Sequence, residues 1–154
     1  MKFMHIISRV ALVTMAISLL AISAVAQEKK ITAKDVPAAV ISAFKAAYPN
    51  ATISGYAREK EKGKVFYEIE SREGTLHRDI LYNSDGTVAE VEESIAATDL
   101  PSEVQEAFRK QYPRAVITLA ERTTIGDRIT YEVTGKVGRK KVSREFDPSG
   151  KVLK

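Results

Sequence analysis

The chain has 154 residues, 44% of them hydrophobic, with 24 Lys and Arg against 20 Asp and Glu and no Cys. The absence of Cys excludes disulfides, thiolate metal sites and a cysteine nucleophile. The two basic residues Lys2 and Arg9 lie in an N-terminal leader, and without them 22 basic face 20 acidic side chains. A balance this close to neutral argues against a nucleic-acid binder, which needs a strong basic excess on one face.

Residues 1–26 read as a secretory signal peptide. A short basic segment precedes the apolar run from Val10 to Val25, and Ala24-Val25-Ala26 places small residues before a cleavage site near Ala26–Gln27. The apolar run is short for a spanning helix, which needs about 20 residues. The expected location is therefore the periplasm or the extracellular medium, with no membrane span after cleavage. The remaining 128 residues, 27–154, can bury an ordinary core.

Those 128 residues state one pattern twice. Shifted by 64 positions, VPAAVISAFKAAYPNATI (36–53) falls on LPSEVQEAFRKQYPRAVI (100–117) without a gap. Seventeen of 60 pairs between 31–90 and 95–154 are identical, from Ile31/Ile95 to Val88/Val152. A constant offset over a whole unit means that every turn has kept its length, so both copies build the same supersecondary unit. The expected division is 27–93 for the first repeat and 94–154 for the second.

Each copy opens with a helix. Val36, Val40, Ala43, Phe44 and Ala47 recur at helical period, as do Leu100, Val104, Ala107 and Phe108. Pro37 and Pro101 suit the first turn, Asp35 and Asp99 are placed to meet the free N–H groups, and Pro49 and Pro113 end the helices. Tyr48 and Tyr112 then cap the core. Strands follow over 51–59, 64–71, 75–82 and beyond the Asn83–Gly86 turn, with equivalents in the second copy. In the second of these Val65, Tyr67 and Ile69 point inward and Phe66, Glu68 and Glu70 outward. The expected class is α+β, two tandem α-β-β-β-β repeats with a helix on one face of each four-stranded antiparallel sheet. The short polar joint Glu93–Asp99 leaves little independent freedom, so the sheets sit side by side or form one eight-stranded surface.

The pattern L/V-P-x-x-V-x-x-A-F-x-x-x-Y-P-x-A-x-I, followed by a Tyr-Glu strand and a closing Gly-x-Val, resembles the PepSY-like domain of beta-lactamase-inhibitor-like proteins. The resemblance covers essentially the whole of 27–154. It implies exported bacterial proteins with tandem copies, similar to the secreted beta-lactamase inhibitor protein, whose two halves form a concave surface that grips an enzyme. Related PepSY domains bind or restrain peptidases. That inhibitor holds each half with a disulfide, and this chain has no Cys.

No catalytic set, cofactor motif or metal site is expected. His77 stands alone in 27–154, on an outward strand position, and zinc needs further ligands. No nucleophile-elbow or Ser-x-x-Lys motif is present. Glu68 and Glu132 occupy equivalent outward positions and are expected to pair across strands with Lys or Arg. Asn83-Ser84-Asp85-Gly86 lacks the twelve-residue spacing of a calcium loop and reads as a hairpin turn.

Two surface features distinguish the copies. Tyr56, Phe66 and Leu81 are expected to face away from the helix as an exposed aromatic patch, where the second copy has Ala120, Thr130 and Glu145. The run Lys136, Arg139, Lys140, Lys141 and Arg144 puts five basic residues within nine. The first points to a non-enzymatic binding protein, an inhibitor or regulator of an envelope enzyme such as a peptidase, using the exposed sheet face. The second points instead to anionic envelope ligands, lipid head groups or polysaccharide.

Overall fold

The computed structural model describes residues 27–153; the signal peptide expected over 1–26 lies outside them. The elements in order are β1 (Gln27–Lys30), a 3-10 turn (Ala33–Asp35), α1 (Ala38–Ala47), β2 (Thr52–Glu61), β3 (Lys64–Glu73), β4 (Leu76–Tyr82) and β5 (Val88–Ile95). A second 3-10 turn (Ala97–Asp99), α2 (Ser102–Gln111), β6 (Val116–Ile125), β7 (Arg128–Val137) and β8 (Lys140–Phe146) complete it. The eight strands form one antiparallel sheet in the order of the chain, and the two helices pack on the same face.

The 64-residue repeat is visible in the strand register. The 64-residue shift carries Gln27–Lys30 onto Val91–Ser94, and β1 meets β2 in the register that β5 keeps with β6: Gln27 lies opposite Lys60, and Val91 opposite Thr124. The structural unit is therefore strand, helix, three strands. β5 closes the first copy by pairing with β4 and opens the second by pairing with β6. The expected division at residues 93 and 94 falls inside this strand, which the sequence cannot reveal because a fourth strand of one copy and a first strand of the next share one hydrophobic pattern. Among the described residues the second copy has one bridge, Val152 to Phe146, in the place of β5.

Each helix buries a valine and a phenylalanine one turn apart, Val40 with Phe44 and Val104 with Phe108. They pack on Ile69, Ile80 and Tyr82 in the first copy and on Ala120, Val133 and Phe146 in the second. Each such side chain contributes roughly 1.5–3 kcal/mol through burial. Tyr48 and Tyr112 follow the last helical turn and stack on Phe44 and Phe108 at 5.4 and 5.3 Å, so the Tyr-Pro pair both ends the helix and caps the core. Pro37 and Pro101 stand just before the first helical residue rather than within the turn. Asp35 does not reach the α-helix. Its carboxylate accepts from the N–H and hydroxyl of Thr32 at 3.0 and 2.8 Å, which closes the 3-10 turn and holds it below the usual carboxylate range.

Gly86 and Gly150 bring the turns after β4 and β8 against the helices. Both have positive φ, and a Cβ would stand 2.7 Å from the Ala39 carbonyl oxygen or 2.5 Å from that of Glu103. Only glycine allows that approach.

Candidate functional site

One face of the sheet carries both helices; the other has no covering element among the described residues. Strand alternation and register decide what this helix-free face displays. Phe66 and Glu68 of β3 stand opposite Glu59 and Ala57 of β2, and Glu68 stands opposite Leu81 of β4. The row continues through Asp79 opposite Glu70, Glu92 opposite Asp79, and Glu121 and Glu145 on either side of Glu132. The centre of the face is thus a field of carboxylates running from β2 to β8.

Two hollows mark it. One of about 140 Å³ is lined by Glu59, Glu68, Asp79, Leu81, Glu90 and Glu92. The second, about 610 Å³, shares Glu90 and Glu92 and reaches Thr123, Glu132 and Glu145, with Lys62 and Arg128 also in its lining. The crowding raises proton affinity. Burial and then the charges of Glu59 and Asp79 push Glu68 up to about 8, and burial with Glu121 and Asp79 pushes Glu92 up to about 7. Asp79, Glu90 and Glu121 are raised as well, each chiefly by burial.

The expectation that Glu68 and Glu132 pair with Lys or Arg is corrected. Glu68 is surrounded by acids, and Glu132 accepts a hydrogen bond from Ser143 Oγ at 2.6 Å. They also cannot act on one bond, because four strand spacings, roughly 19 Å, separate β3 from β7, against about 5–10 Å for a hydrolytic carboxylate pair. No group of three or more His, Asp or Glu is arranged to hold a metal ion among the described residues.

The aromatic patch is divided. Phe66 and Leu81 lie on the helix-free face beside the acids, but Tyr56 packs against the first hydrophobic core. The cause is the bulge in β2 between Ile53 and Gly55, which inserts a residue and reverses the parity of everything after it. The basic run is divided too. Lys136 and Lys141 stand opposite each other on the helix-free face. Lys140 and Arg144 take the helix side, Arg144 lying 5.5 Å over the Tyr112 ring, and Arg139 sits in the turn. A strand alternates, so five basic residues in nine cannot share one face. His77 is exposed, and its backbone N–H donates to Ser94 Oγ at 2.9 Å.

Glu70 lies outward as the alternation predicts, whereas Glu59, Asp79, Glu90, Glu92 and Glu121 were not found from the sequence. The near-neutral charge hid them, because Lys and Arg, some of them (Lys62, Arg128, Lys136, Lys141) at the margins of the same face, balance the total. The signal that finds them is the acidic outward parity of successive strands, which needs the correct register.

The fold and the open face define an α+β tandem-repeat protein built to present one sheet surface. The chain belongs to the beta-lactamase-inhibitor-like, PepSY-like family, whose model matches residues 23–90 and 66–154. Among solved structures it is similar to a protein of Bacteroides eggerthii described as periplasmic, at 18% identity and a TM-score of 0.62, over 77% of this chain and 86% of that one. It is also similar to a DUF2874 family protein of Bacteroides ovatus, at 18% identity and a TM-score of 0.60, over 77% and 85%. A BLIP-like protein of Bacteroides fragilis matches at 23% identity and a TM-score of 0.57, over 77% and 84%. These likenesses show the fold. No curated protein matches the chain. Among the described residues no helix is long and apolar enough to cross a membrane.

Proposed function

We propose that the protein is an exported, non-enzymatic binding protein of the cell envelope, and that the acidic hollows on the helix-free face take a basic segment of a protein partner. The observation that carries this reading is the uncovered row of half-buried carboxylates around Glu68, Glu90 and Glu92. Like charges opposite one another destabilise a sheet, and a cationic partner relieves that repulsion while burying the face. Phe66 and Leu81 supply apolar contact at its edge. The role we infer is that of an inhibitor or regulator of an envelope enzyme, such as a peptidase; the family description, beta-lactamase-inhibitor-like, supports the inhibitor part of that reading.

A fluorescent octa-arginine peptide tests the face directly. Binding should weaken at least about tenfold, equivalent to about 1.4 kcal/mol, in the Glu90→Gln/Glu92→Gln variant. Calorimetry at neutral pH in buffers of different ionisation heat should show protons released on binding, because Glu68, at about 8 in the free protein, ionises beside an arriving cation. Equal affinity in the variant, with its fold checked by circular dichroism, would remove the acidic face as the site.

A further inference from the structure

The basic residues that a flat anion site cannot gather are all close to one sheet edge, that of β8. Its counterpart in the first copy is β4, since 76–82 falls on 140–146 in the 64-residue shift. β4 is an interior strand. β5 runs along its far side, with Arg78 opposite Glu93, Asp79 opposite Glu92, Ile80 opposite Val91 and Leu81 opposite Glu90. Among the described residues the second copy supplies only Val152 and Leu153 at that place. Val152 bridges to Phe146, as Val88 pairs with Tyr82, and the Leu153 N–H donates to the Glu145 carbonyl at 2.8 Å.

That last bond fixes the orientation of the edge. The Glu145 carbonyl points away from β7, and backbone polarity alternates along an antiparallel strand. The N–H and C=O groups of Ser143 and Lys141 therefore point outward too, with no strand beside them among the described residues; the Ser143 carbonyl accepts from Arg144 Nη1 at 2.8 Å, a bond that an added strand would replace. Such a row is a template for an added strand.

The side chains say what kind of strand. β5, which fills the equivalent place, reads Val-Ala-Glu-Val-Glu-Glu-Ser-Ile; its acids Glu92 and Glu93 bear on the basic stretch, while the position of Glu90 falls at Glu145, where Leu153 already bonds. In the same register against β8, residues at the positions of Val91, Glu92, Glu93 and Ser94 would stand opposite Arg144, Ser143, Val142 and Lys141. An added strand also alternates. Its side chains on one face would meet Lys141 and, one strand further, Lys136; those on the other would meet Arg144 and Lys140. The division of the basic run between two faces defeats a flat ligand and suits an extended one.

We propose that the β8 edge binds an extended acidic segment of a partner protein by strand addition, in the register that β5 keeps with β4. A second copy of this chain fits less well. Its β1, the counterpart of β5, would place Lys30 opposite Lys141 and Lys29 opposite Val142, between Lys140 and Arg144.

The test uses a fluorescent, end-blocked peptide of the β5 sequence with the full chain and measures anisotropy. The peptide should bind, lose affinity with salt, and lose at least about tenfold on Lys141→Glu/Arg144→Glu, equivalent to about 1.4 kcal/mol. Amide exchange at Ser143 and Lys141 should slow on binding. A peptide of the same charge with its β8-facing amides N-methylated should not bind. Equal binding of the N-methylated peptide, or competition by heparin or anionic vesicles without slowed exchange, would overturn strand addition in favour of a general anion surface. No peptide binding would overturn the proposal and leave the lysines as guards against edge pairing. Concentration-dependent self-association in sedimentation, abolished by the peptide, would give the edge to a second copy and overturn a partner segment.

Discussion

Residues 78 and 142 occupy equivalent places beneath the two helices, yet one is a buried arginine and the other a valine. Arg78 lies 4.3 Å over the Tyr48 ring, its Nε is 3.5 Å from Glu93 and its Nη1 is 3.7 Å from Glu73. Glu93 also binds Arg122, so one carboxylate on β5 ties β4 of the first copy to β6 of the second. A buried cation needs a counter-charge beside it, and only a position between the copies has a neighbouring strand to supply one. At the outer edge, where no ninth strand stands among the described residues, an apolar Val142 closes the core. The difference between copies is therefore a consequence of place: the junction is polar because it is flanked on both sides.

Breaking that junction should give the largest effect. Glu93→Ala leaves Arg78 buried without its main partner and should cost about 3–5 kcal/mol in urea denaturation. Val142→Ala, at the edge, should cost far less. A Glu93→Ala loss as small as that of a surface substitution would mean the copies are held by strand pairing alone.

A smaller effect separates the equivalent acids Glu68 and Glu132. In the folded chain Glu68 is pushed from 4.5 up to about 8, so between those values the native state holds a proton that the unfolded state has released. That term favours the native state at low pH and is lost as pH rises from about 4.5 to about 8. Glu68→Gln should raise the melting temperature at pH 8 and change it little at pH 4. The gain should be about 1 kcal/mol, well under the full linkage value because solvent screens a half-exposed group. Glu132→Gln relieves repulsion from Glu121 and Glu145 but weakens an acceptor for Ser143, so its gain should be smaller. Identical pH profiles for the two variants would erase this distinction.

The smallest effect concerns Tyr82, which stands where the second copy has Phe146. Its hydroxyl is buried without a hydrogen-bond partner among the described residues, and burial pushes its pKa up to about 12. Tyr82→Phe should be neutral or stabilise by up to about 1 kcal/mol, since it removes an unsatisfied group and keeps the ring. A loss of more than about 1 kcal/mol would show that the hydroxyl is satisfied in solution, for example by water.

The shared residues were readable from the chain because they answer to local rules. Pro49 and Pro113 stop helices, Phe44 and Phe108 follow helical period, and Gly86 and Gly150 are required where the backbone meets a helix. The candidate surface was readable only in part. Phe66 and Leu81 were placed correctly, while Tyr56 was lost to one bulged residue in β2, and the basic run was counted along the chain rather than across it. A single-residue shift moves every later side chain to the other face; Gly55 is its only local signal, and the second copy bulges between Ile117 and Leu119 without one.

By itself the sequence determined two helices, the length of the repeat, the strand alternation and the family pattern, because each is set by neighbours within a few positions or by the constant 64-residue offset. The tertiary structure decided the rest. It made β5 common to both copies, joined eight strands into one sheet, drew acids from seven strands onto one open face and left β8 at an edge. Those outcomes depend on register and strand order, which are contacts between distant segments.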